Sequence, residues 1–121
     1  MQTAADAYRR VAKEIASPRE LEANLLLKAA ARLQAIQDGW QDRKVDLNDA
    51  LLFNRKLWMV FVTEVTKEDN PLPVEIRQNI ANLGVFIMNH TMAVMSNPQP
   101  DALDSLININ RELATGLRGR A

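Results

Sequence analysis

Apolar residues recur at intervals of three and four along almost the whole chain, broken only by proline, glycine and short polar runs. A period near 3.6 marks helices with one buried face, so the pattern predicts an all-α chain. The first helix falls over residues 3–16, with Ala4, Tyr8, Val11 and Ile15 on one face and Asp6, Arg9, Arg10 and Lys13 on the other. Ser17-Pro18-Arg19-Glu20 then reads as a capping box. The Ser17 hydroxyl accepts from an amide of the first turn, Glu20 reaches back, and Pro18 stands at N1, where a missing N–H does no harm. The second helix starts there and carries Leu21, Leu25, Ala29, Leu33, Ile36 and Trp40 as its stripe. Leu26, Leu27, Ala30 and Ala31 widen that stripe, and Gly39 is the expected stop.

Asp46 is the expected N-cap of a third helix running to about Thr66, with Leu47, Leu51, Trp58, Phe61 and Val65 aligned. Leu52, Phe53, Leu57, Val60 and Val62 leave it little polar circumference. The run Val60-Phe61-Val62-Thr63-Glu64-Val65-Thr66 is β-branched enough for a strand, but it continues a longer helical pattern and no partner strand is visible, so it reads as helix. Lys67-Glu68-Asp69-Asn70-Pro71-Leu72-Pro73 is the clearest turn, because each proline pushes its predecessor out of helical geometry. A fourth helix follows over residues 73–96, with Ile76, Ile80, Leu83, Ile87 and Val94 on one face and Ala81, Val85, Met88, Met92 and Met95 on a second. Asn97-Pro98-Gln99-Pro100 ends it, and Asp101 is the expected N-cap of a last helix over residues 101–117. There Leu103, Leu106, Ile109 or Asn110, Leu113 and Leu117 face inward, and Gly116 with Gly119 marks the end.

Short connections favour antiparallel neighbours, so the expectation is one compact bundle of about five helices spanning residues 1–121, with the third and fourth helices, apolar nearly all round, at its centre. Lys and Arg balance Asp and Glu at 15 each, which removes the default case for nucleic-acid binding. There is no cysteine, which excludes disulfides, thiolate ligands and cysteine nucleophiles. No apolar run approaches the length that spans a bilayer, and the start of the chain lacks a signal-peptide pattern, so no membrane partner and a cytoplasmic location are expected.

The chemistry is sparse. His90 is the one histidine, and the positions three and four away are Ile87, Phe86, Ala93 and Val94, which supply no second metal ligand. It reads as a structural histidine bonded within the bundle. Glu64 and Glu68 repel mildly at i,i+4, and no nucleotide, metalloprotease or nucleophile-elbow motif occurs. No cofactor, metal or enzymatic activity is expected. Arg9, Arg10, Lys13 and Arg19 near one terminus and Arg111, Arg118 and Arg120 near the other could form a phosphate-binding patch, but acidic residues interleave with them, which suits a solvated surface better. Methionine is flexible and polarizable and recurs on surfaces that accept varied amphipathic helices. Val85, Met88, Met92 and Met95 are therefore the candidate partner-binding residues, with core filling and a homodimer interface as the competing roles.

The strings Pro71-Leu72-Pro73-Val74-Glu75-Ile76-Arg77-Gln78-Asn79-Ile80-Ala81-Asn82-Leu83-Gly84 and Met88-Asn89-His90-Thr91 carry a resemblance. So do Ser17-Pro18-Arg19-Glu20-Leu21-Glu22, Leu26-Leu27-Lys28-Ala29-Ala30-Ala31-Arg32-Leu33 and Ser105-Leu106-Ile107-Asn108-Ile109-Asn110-Arg111-Glu112-Leu113. In order and spacing the chain resembles the FlaF flagellar biosynthesis regulatory proteins of alphaproteobacteria. The resemblance implies a cytoplasmic helper of flagellin synthesis and secretion that binds flagellin as an export chaperone and acts alongside the flagellin-mRNA regulator FlbT. The alternative it implies is post-transcriptional control of flagellin mRNA with FlbT. It carries over no ligand residue.

Overall fold

Residues 3–4 and 18–119 are described by the structure, a computed structural model in which every regular element among those residues is helical. The helix expected over residues 3–16 and the Ser17 cap lie outside the described residues, Thr3 and Ala4 excepted. In chain order the elements are α1 (Pro18–Asp38), α2 (Trp40–Arg43), a 3-10 turn (Lys44–Asp46), α3 (Leu47–Val65), α4 (Val74–Ser96), a second 3-10 turn (Pro100–Leu103) and α5 (Asp104–Gly119).

Three boundaries differ from expectation for identifiable reasons. Gly39 bends the chain rather than stopping it: its backbone sits at φ −109, ψ 37, and helix resumes at once as α2, so Trp40 leaves the α1 stripe. Asp46 precedes α3 without capping it, because its backbone is already helical within the 3-10 turn and its carboxylate instead lies 3.4 Å from Arg43 Nε. Asp101 falls inside the second 3-10 turn, which Pro100 opens, and α5 starts at Asp104 and continues through Gly116 to Gly119.

The turn between α3 and α4 is held by side chains that satisfy the carbonyls a helix end leaves free. Arg77, from the first turn of α4, donates from Nε to Val65 O at 2.7 Å and from Nη2 to Lys67 O at 2.8 Å. Asn70 donates to Glu64 O at 3.0 Å and accepts from the Leu72 N–H at 3.0 Å. That closure makes α3 and α4 an antiparallel pair. Gly84 lets the pair approach closely: a Cβ there would stand 2.3 Å from Val62 Cγ2.

α1 runs antiparallel to α5, as Gln37 Nε2 donating to Asp104 Oδ1 at 2.6 Å and Arg118 bonded to Asn24 at the opposite end show. α1 also packs on α3, and the core lies where the three meet, with Leu26, Leu33, Leu51, Trp58, Leu103 and Leu106 fully buried. A polar chain crosses it. The Trp58 indole N–H donates to Asn110 Oδ1 at 2.8 Å and Asn110 Nδ2 donates to Asn54 Oδ1 at 2.6 Å, all three side chains sealed from solvent. Of the two inward candidates in α5, Asn110 is buried and Ile109 only half-buried.

α3 is central, as its apolar circumference predicts. α4 is not. It packs mainly on α3 through Ile80, Gly84, Ile87, Thr91 and Val94, and leaves Val74, Val85, Phe86 and Met92 exposed. The second apolar face is therefore divided: Val85 and Met92 are surface, while Met88 and Met95 pack partly against the core.

Candidate functional site

At one end of the bundle the start of α1, the end of α3, the α3–α4 turn and the end of α5 diverge and enclose an apolar cleft of about 770 Å³. Each element contributes by its periodicity. Phe61 and Val65 sit one turn apart at the end of α3, Leu113 and Leu117 one turn apart at the end of α5, and Leu72 and Ile80 come from the turn and α4. Leu21 and Val60 form the mouth and are 52% and 59% exposed. Large aliphatic side chains held half in water at the edge of an apolar recess are characteristic of surfaces that receive another apolar face.

The polar rim is small: Arg19, Glu22, Glu64 and Asn70. Burial pushes the Glu22 carboxyl above its ordinary range, with Arg19 opposing the rise and Glu64 adding to it. Glu64 is paired with Lys67 at 2.9 Å, and this exposed partnership raises the Lys67 ammonium.

The methionine stripe divides. Val85 and Met88 line a shallow groove of about 250 Å³ between α3 and α4, together with Met59 and Val62. Met92 is 62% exposed outside that groove, and Met95, like Met88, packs partly against the core. The four candidate residues therefore do not form one continuous pocket, and the larger recess is elsewhere. Leu21 and Leu25, placed by periodicity in the α1 core stripe, are instead exposed, while Ala29, Leu33 and Ile36 of that stripe are buried beside Ala23, Leu26 and Ala30. The signal was present in the width of the α1 apolar surface, which exceeds what one face can bury.

His90 has the structural role expected of it: Nε2 lies 2.7 Å from Ala102 O and the ring stacks on Phe86 at 5.2 Å. Among the described residues no three His, Asp or Glu side chains converge as a metal site. No helix among them is long and apolar enough to cross a membrane. Arg111 and Arg118 face α1, bonding Gln34 and Asn24, while Arg9, Arg10, Lys13 and Arg120 lie outside the described residues.

No curated protein and no solved structure matches the chain. A family model described as flagellar protein FlaF matches residues 4–117, which takes in every described helix except the last two residues of α5, and all the residues that line the cleft. With nearly its whole length covered, the chain belongs to the FlaF family of flagellar proteins.

Proposed function

We propose that this FlaF-family protein is a non-enzymatic cytoplasmic chaperone that binds unpolymerised flagellin and thereby promotes its synthesis and secretion. In this reading the apolar face of a terminal flagellin helix, free before assembly, seats in the bundle-end cleft. The observation that carries it is the cleft: an open apolar recess with exposed Leu21 and Val60 at its mouth, in a protein of a flagellar family. Each leucine-sized side chain that a partner helix buries there contributes about 1.5–3 kcal/mol, so three anchors contribute about 4.5–9 kcal/mol toward an association cost that starts at about 4 kcal/mol. Masking such a helix blocks premature polymerisation, and occupancy of the cleft couples flagellin supply to FlbT.

Calorimetric titration with full-length flagellin and with flagellin lacking its terminal segments tests the reading. Binding to the full-length chain that is lost on truncation, resists salt and weakens in Val60→Asp supports it. Equal binding to both forms, or none to either, refutes it. Binding that instead collapses steeply with ionic strength and moves to flagellin mRNA would support the alternative regulatory role, because phosphate contacts release counterions and apolar docking does not.

A further inference from the structure

The cleft opens onto the outer face between α1 and α3, and that face changes character along its length. On α1 the residues at i, i+4, i+7 and i+11 from the mouth are Leu21, Leu25, Lys28 and Arg32, which share one side of the helix. Leu21 and Leu25 are both exposed. Two turns on, Lys28 Nζ stands 5.8 Å and Arg32 Cζ 5.1 Å from the centre of the Phe53 ring of α3. Among the described residues neither cation pairs with a carboxylate, since the ion pairs there are Arg43 with Asp46 and Lys67 with Glu64. Two like charges lie against one ring, and among the described residues no ion pair relieves their repulsion.

Resting on the docking reading above, we propose that this cationic end is part of the same site: the helix received by the cleft carries a carboxylate two turns, about 10 Å, from its apolar anchor, and Lys28 and Arg32 bind it astride Phe53. The apolar cleft supplies affinity, and the cation pair sets register and selects among amphipathic helices. The occupant is an amphipathic helix of a partner protein, with the acidic group on the edge of its apolar stripe.

The test uses the full chain and two synthetic 18-residue amphipathic helices that differ only at two positions seven residues from a leucine anchor, Glu in one and Gln in the other. At low salt the Glu peptide is expected to bind about fivefold more tightly, as one or two partly exposed charge contacts allow. In Lys28→Glu/Arg32→Glu the preference reverses to the Gln peptide while both still bind, and circular dichroism confirms the fold. Equal affinity in the wild type, or a Glu preference that survives the double reversal, overturns the cationic end and leaves the cleft reading standing. If neither peptide binds, or if Val60→Asp leaves the binding of both unchanged, the cleft reading itself fails. Light scattering that shows a dimer dispersed by the double reversal overturns the proposal in favour of a second copy as occupant. Binding that appears only after residues 1–17 are removed overturns it in favour of the chain's own N-terminal residues.

Discussion

Gly84 offers the sharpest test of how α3 and α4 are held together. A methyl group there would stand 2.3 Å from Val62 Cγ2, well inside contact distance. Val62 is β-branched and has one strongly preferred rotamer in a helix, so it cannot turn aside cheaply. Overpacking of this kind costs about 1–3 kcal/mol, and replacing a mid-helix glycine by alanine returns about 0.5–1 kcal/mol through backbone entropy and propensity. Gly84→Ala should therefore destabilise by about 1–2 kcal/mol, lowering Tm by roughly 4–8 °C for a domain this size. In a Val62→Ala background the obstacle is gone and the same substitution should stabilise by about 0.5–1 kcal/mol, a coupling of about 2 kcal/mol between the two sites. Urea denaturation of the four proteins of this cycle measures both signs. A Gly84→Ala protein more stable than wild type, or one with the same cost in both backgrounds, would refute close approach as the reason for the glycine.

Asn110→Ala leaves the buried Trp58 N–H and the Asn54 carbonyl without their partner and should cost about 2–4 kcal/mol in urea denaturation; a loss below about 1 kcal/mol would mean the polar chain contributes little. Arg77→Ala frees the Val65 and Lys67 carbonyls at the turn and should cost about 1 kcal/mol, with amide exchange quickening first at the end of α3; Arg77→Lys should not restore it, because one ammonium cannot span both carbonyls in the guanidinium's fixed fork. For Glu22 the folded carboxyl lies above the ordinary 4.5, chiefly through burial, so the fold favours its protonated form. The stability this contributes is present below the unfolded value and is lost as pH rises through the folded one. Glu22→Gln should therefore raise Tm at pH 7 and make little difference near pH 4; a destabilised variant at pH 7 would reverse the sign of that argument.

The helices were legible because periodicity and proline report local geometry. The prolines and polar run of residues 67–73 predict the turn found there, and Leu47, Leu51, Trp58, Phe61 and Val65 are all buried as aligned. What periodicity cannot report is which apolar face finds a neighbour. α4 carries two such faces, and only the one with Ile80 and Ile87 meets α3, while Val85 and Met92 remain outside. Leu21 and Leu25 share a stripe by spacing with Ala29, Leu33 and Ile36, yet only those last three are buried, and Ala23, Leu26 and Ala30 join them on the side where α5 and α3 lie. Asn110 stands beside Ile109 as an inward candidate, but Asn54 is hidden for the opposite reason: asparagine is mostly a surface residue, and its burial follows only from the Asn110 amide, itself fixed by the Trp58 N–H, that bonds to it. The cleft is a property of four chain segments meeting at one end of the bundle, and no single stretch of sequence records it.

In the proposed complex a flagellin helix occupies the bundle-end cleft and not the exposed face of α4. Amide chemical-shift mapping of the isotopically labelled protein titrated with a peptide from a flagellin terminus addresses it directly. Shifts concentrated at Leu21, Val60, Leu72 and Leu117 are the expected result. Shifts concentrated at Val85, Met88, Met92 and Met95, or no saturable shifts at all, would contradict it.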